Sequence, residues 1–211
     1  MHMRSFQRRQ RSCFVLAAAA FFSFAISHGV SACACCSDPG MRFEAARDMN
    51  PDERVELSRL HFDDTAQLFT TAAFPDDIEG IIAPSDQPYR VRSVKSPTHW
   101  TFDLSDSVGK QGRIVFVLPT SLTRFQVDPR DEEATSAGGG PRLYKEWRLK
   151  STAQLSGIVA QGNNQAHATL ILHGHGNGCT SAEDFAHWTL LLTGPGVRFT
   201  ILGKLGAAKK R

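Results

Sequence analysis

The chain has no apolar run long enough to cross a bilayer as a helix. Its longest, Cys13–Ile26 (CFVLAAAAFFSFAI), is fourteen residues, short of the ~20 that a transmembrane helix needs. No acidic residue precedes Asp38. The body of the chain has no basic stretch interleaved with aromatics, which removes nucleic acid from the expected partners. There is no Gly-x-Ser-x-Gly elbow to present a hydrolase nucleophile, and no Asp-x-Asp-x-Asn-Gly calcium loop. Asp63-Asp64, Asp76-Asp77 and Asp131-Glu132-Glu133 are carboxylates adjacent in sequence and read as solvated turns. No internal repeat is visible.

The first residues read as a targeting segment. Arg4, Arg8, Arg9 and Arg11 precede the apolar run, and the small-residue stretch His28–Ala34 (HGVSACA) follows it. That order is a secretory signal peptide, giving a leader over 1–34 and a single domain over 35–211. Cleavage is expected after Ala32 or Ala34. Val30-Ser31-Ala32-Cys33 resembles the lipobox of bacterial lipoproteins, which would make Cys33 a lipidation site and give the only membrane attachment. The Arg8-Arg9 pair lacks the apolar residues that a twin-arginine signal places next, since Gln10-Arg11-Ser12 is polar. The expected location is therefore outside the cytoplasm, periplasmic or secreted.

Export changes the charge balance. The whole chain has 24 basic and 21 acidic residues. Removing the four leader arginines leaves 20 against 21, a net charge near −1. An oxidising compartment makes Cys33, Cys35, Cys36 and Cys179 candidates for bridging. Cys33 and Cys36 have the Cys-x-x-Cys spacing, but no strand–helix pattern surrounds them as a thioredoxin-type site requires. Neighbouring cysteines bridge only through a strained ring, so the favoured disulfide joins Cys35 or Cys36 to Cys179. Its loop of roughly 140 residues would contribute about 5 kcal/mol in the chain-entropy account.

About 175 residues after the leader suffice for a sizeable core. Asn50-Pro51-Asp52-Glu53 is a strong helix start: a capping side chain, proline at the first helical position and a glutamate that reaches back. The helix should be short, because Val55, Leu57, Leu60 and Phe62 hold neither period; it either passes into a strand or is replaced by a bulged one. From Tyr89 on, the pattern nears period two. Strands are expected over 89–94, 100–104, 113–119, 142–149, 168–172, 187–192 and 197–202, separated by glycine, asparagine and proline turns. Ile114–Leu118 and Leu190–Leu192 are apolar on both faces, as strands covered twice would be. Residues 126–140 (QVDPRDEEATSAGGG) are the best candidate for a mobile loop. Seven or more strands without crossover helices predict a mainly β fold, an antiparallel sandwich or barrel with one or two short helices.

The stretch His173-Gly174-His175-Gly176 admits three readings. A His-Gly loop after a strand resembles the oxyanion loop of α/β-hydrolases, but no nucleophile accompanies it. As a metal site, His173 and His175 would share one strand face, with Cys179 or the N-terminal cysteines adding thiolates, a set suited to copper or zinc. The favoured reading ends the strand at His173, with glycines turning the chain and Thr180 or Ser181 capping a short helix over 182–185.

Tyr144-Lys145-Glu146-Trp147-Arg148 alternates within a strand. Leu143, Trp147 and Leu149 share a face with Lys145, and Tyr144, Glu146 and Arg148 share the other. An inward Lys145 would hold an anionic ligand, but its stem is expected over apolar surface with the ammonium in water. Glu146 and Arg148 are expected as a solvated pair. No nucleophile–base set can be assembled from spacing. The expected function is thus an exported, non-catalytic envelope or ligand-binding protein without a cofactor, taking an unidentified ligand or envelope protein. A copper- or zinc-binding protein using His173, His175 and cysteine is the alternative.

Overall fold

A computed structural model describes residues 40–68, 78–82, 87–129, 143–162, 164–177 and 181–206. These contain ten strands: β1 (Arg42–Asp48), β2 (His61–Leu68), β3 (Tyr89–Lys95), β4 (His99–Ser105), β5 (Gln111–Val117), β6 (Ser121–Val127), β7 (Leu143–Gly157), β8 (Gln165–Gly176), β9 (Phe185–Gly194) and β10 (Val197–Gly206). One helix, α1 (Pro51–Arg59), follows β1, and a 3-10 turn, Ala182–Asp184, precedes β9. The leader with Cys33, the later Cys35, Cys36 and Cys179, and residues 130–140 of the expected loop lie outside the described residues. Gln126 and Val127, assigned to that loop from sequence, instead end β6.

Every pairing is antiparallel. The order β1-β6-β7-β5-β4-β3-β2-β10-β9-β8 returns to β7, so eight strands close a barrel. The fifteen-residue β7 explains the two strands left over. Its second half pairs with β5 (Phe116↔Ala153 to Gly112↔Gly157), and its first half pairs with β6 (Thr123↔Arg148 to Val127↔Tyr144). Strands β5 and β6 therefore follow one edge of β7 in line, interrupted where Pro119 cannot donate to a ladder. Strand β1 then pairs with β6, so β1, β6 and the ends of β7 and β8 form a four-stranded extension beyond the barrel.

An eight-stranded barrel is narrow enough for side chains to fill it. Here the alternation carries large apolar residues inward: Phe116, Leu149, Leu170, Leu172 and Leu190 are wholly inaccessible. Phe62 packs edge-on against Trp100, Phe102 and Trp188, with ring centroids 5.0–5.6 Å apart, and Phe102 stacks on Trp188. The outward positions of the same strands carry Arg90, Arg92, Asp103, Arg113, Lys150 and His167. Apolar inside and charged outside is the reverse of a membrane-spanning barrel. It also corrects the reading of 114–118 and 190–192 as covered twice: Val117 is exposed, and Val115 and Leu191 are half-buried. A barrel has one interior, and nothing among the described residues is layered over its outer wall.

Helix α1 lies across the end where β3 finishes and β9 begins. Both halves of its capping box form: the Glu53 N–H donates to Asn50 Oδ1 (2.8 Å), and the Asn50 N–H donates to Glu53 Oε2 (3.0 Å). Glu53 is fully buried and also receives a two-pronged contact from Arg47 on β1 (2.7 and 2.9 Å). At the other end, Lys95 Nζ donates to the carbonyls of Ser58 (2.7 Å) and Leu60. Buried Glu56 accepts from Arg59 and from the Ala182 N–H (2.7 Å), tying the helix to the 3-10 turn. The helix contributes Leu57 to the core but is positioned largely by charge.

Candidate functional site

The histidine–glycine stretch is strand, not turn. Strand β8 continues to Gly176, and neither Gly174 nor Gly176 has positive φ. The glycines serve space. A Cβ on Gly174 would lie 2.0 Å from the Asp184 carbonyl oxygen, and one on Gly176 would lie 1.8 Å from its carboxylate. The 3-10 turn packs against this inner face so closely that only glycine fits. Ser181 does cap that turn, accepting from the Glu183 N–H at 3.3 Å; Thr180 lies outside the described residues.

Asp184 also resolves the lysine. Lys145 faces inward beside Trp147, is 3% exposed and meets Asp184 Oδ2 at 2.6 Å. The expectation of an ammonium in water is therefore corrected. A chain-distant carboxylate, brought in where the glycines leave room, compensates the buried charge as burial requires.

With the glycines inward, the histidines point outward. His173 and His175 do share a face, and the pairings extend it across the wall. Glu44, Phe125, Glu146, His173, His187 and Lys204 are successive cross-strand neighbours on β1, β6, β7, β8, β9 and β10. The adjacent row contains Tyr144 and His175. Contacts join these groups. His173 and His187 stack at 5.5 Å between centroids, and Tyr144 packs on His175 at 5.4 Å. Glu146 receives the Tyr144 hydroxyl and Arg148 Nε, each at 2.5 Å, and Arg148 lies over Phe125. The Glu146–Arg148 pair forms as expected but is largely shielded.

Burial is the main cause holding His173 below its usual pKa; His187 and His175 add to this, and Glu146 opposes it. Burial, and then the bond to Glu146, push Tyr144 well above its ordinary range, so it is a phenol donor rather than a base. His173 Nε2 is 3.5 Å from the Thr189 hydroxyl, the limit of a hydrogen bond. His187 and Glu146 were missed as neighbours of His173; only the β7–β8–β9 register discloses them. Among the described residues, no three ligating side chains converge as a metal centre. Cys179, Cys33, Cys35 and Cys36 lie outside the described residues.

A groove lies on another wall. Strands β2 and β3 pair only at Thr65↔Arg90 and Ala66↔Tyr89, and the loosened seam opens into a groove of about 920 Å³. Its lining includes Asp64, Arg90, Arg92, Asp103, Arg113 and Ser156. Arg92, Asp103, Arg113 and Ser156 form one cross-strand row on β3, β4, β5 and β7. Arg113 Nε donates to Asp103 at 2.5 Å, which neutralises that carboxylate and raises the arginine's pKa. The side chains of Arg90 and Arg92 make no ion pair among the described residues and are exposed.

Compared with known protein families, curated proteins and solved structures, the chain matches none of them.

Proposed function

We propose that the chain is an exported, non-catalytic binding protein that takes an anionic ligand in the groove between β2 and β7. The observation that carries this reading is the pair of uncommitted guanidiniums, Arg90 and Arg92, in a groove on the outer wall of a barrel whose interior is filled. A ligand has no room inside, so it binds the wall. Guanidinium forks suit carboxylate, phosphate or sulfate groups, and Ser105, Gln111 and Ser156 supply neutral hydrogen bonds around them. The leader-like first 34 residues support export; attachment to a membrane enters only if Cys33 is lipidated. Calorimetric titration with pyrophosphate, citrate and a sulfated disaccharide at low salt tests the reading. Saturable binding that weakens roughly tenfold or more in Arg90→Gln/Arg92→Gln is expected, that being the scale of one lost charge-assisted contact. Equal binding by the variant, or none by the parent, refutes it.

A second reading is favoured by one observation: β8 continues through Gly176, placing His173 and His175 on a common face with His187 opposite. Burial disfavours the imidazolium form of His173, so protons compete less with a borderline divalent ion for its lone pair. Turning two rings toward each other would give copper or zinc a two-imidazole seat. Titration with copper(II) or zinc(II), monitored by the imidazole resonances, should shift His173 and His187 together. A shift confined to other histidines removes this reading.

A further inference from the structure

Among the described residues, strand β1 is an edge of the sheet: β6 is its one partner there, and none of them pairs with its other side. Two large apolar side chains are exposed here, Met41 at 57% and Phe43 at 48%. The ladder reaches Met41, whose carbonyl accepts from the Asp128 N–H at 3.2 Å. An unpaired edge is a template for another strand, and proteins usually blunt it with charge. In β1 the charges alternate in sign along one face, Arg42 then Glu44, while the other face reads Met41, Phe43, Ala45.

We propose that a second copy of this chain pairs with β1, antiparallel, about a two-fold axis at Phe43. In that register Arg42 of each copy stands opposite Glu44 of the other, an opposite-charge cross-strand pair made twice. On the other face Phe43 meets Phe43, and Met41 meets Ala45, so one apolar strip from each copy is covered. The faces match because opposed residues in an antiparallel pair point to the same side. Sliding to either neighbouring face-matched register sets Arg42 against Arg42 or Glu44 against Glu44. The register centred on Ala45 also opposes unlike charges, Arg42 to Asp48, but it sets Phe43 against Arg47, whose guanidinium is already held by Glu53, and so loses the apolar match. Charge and apolarity thus select one register.

The pairing would join two four-stranded extensions into one eight-stranded surface. It would also place Arg42 of the second copy beside Glu44, the end of the row that runs through Glu146 to His173 and His187. Interfaces built on one strand pair are at the small end, under about 1,200 Å² in total, so a reversible dimer is expected rather than an obligate one. The inference is independent of anion binding, because the groove lies on other strands.

Sedimentation velocity on the chain from an exporting host, from micromolar to millimolar, tests it. The parent should dimerise reversibly. Arg42→Glu and Glu44→Arg should each weaken dimerisation tenfold or more, since each opposes like charges twice. The double variant Arg42→Glu/Glu44→Arg should restore it, because the swapped charges again face each other in this register alone. All of these positions are exposed or half-buried, so circular dichroism should be unchanged throughout. A parent that stays monomeric, single variants that dimerise as well as the parent, or a double variant that fails to recover would each overturn the proposal.

Discussion

The barrel and its extension are parts of one continuous sheet, yet they are held by different physics. Inside the barrel, inward positions are apolar on every strand, and Leu170, Leu190 and Phe116 interdigitate with no exposed surface. In the extension, the inward positions of the same β7 and of β6 and β1 present Lys145, Arg124 and Arg47. These face Asp184 and Glu53, supplied by the 3-10 turn and by α1. Hydrogen-bonded strands alone do not specify what covers them. Where a sheet closes on itself, its own side chains provide the cover. Where it overruns the closure, charged groups from short elements complete it.

The difference predicts unequal responses to substitution. Leu170→Ala removes a wholly buried side chain at the middle of β8 and should cost about 2–5 kcal/mol. Denaturant unfolding should report this as a shift of the whole transition, because the barrel interior is shared by all eight strands. A loss confined to β8 amides would contradict that cooperativity.

Lys145→Ala deprives the Asp184 carboxylate of its ammonium partner and should cost about 3 kcal/mol. The paired change Lys145→Met/Asp184→Ala should recover most of that loss, since replacing a buried ion pair by apolar groups is often nearly neutral. Amide exchange should place the effect in β8 beyond His173 and in the 3-10 turn, with the barrel strands still protected. Asn50→Ala, which removes half of the capping box, should cost about 1 kcal/mol and open α1 ahead of the barrel.

The smallest effect is a pH dependence from His173. Its folded pKa is lowered, so between that value and about 6.5 the unfolded chain binds more protons than the folded one. This contribution to stability is complete above the unfolded pKa and declines as pH falls through the window. His173→Asn should flatten that part of the stability–pH curve. An unchanged slope would mean that the imidazole row does not couple to folding.

Much of the fold was legible locally. The seven expected strands all appear, because alternation of apolar and polar residues is a property of neighbours in the chain. The capping box at Asn50 and Glu53 was equally readable, and α1 does pass directly into β2. Strands β1 and β6 were missed. Their burial patterns barely alternate, since β1 is exposed along most of its length and β6 is half-covered. The candidate site was legible only in part. His173 and His175 stood out, but the glycines between them suggested a turn, and no local rule connected them to Asp184 some ten residues later.

What the sequence determines by itself is therefore the inventory of periodic elements, their turns and caps, and which face of each strand is apolar. These depend on interactions a few residues apart. The closure of the barrel, the partner of Lys145, the row from Glu44 to Lys204 and the loosened seam beside Arg90 depend on register between distant strands. Only the folded sheet decides them, because cross-strand neighbours are chosen by the joint packing of one shared interior.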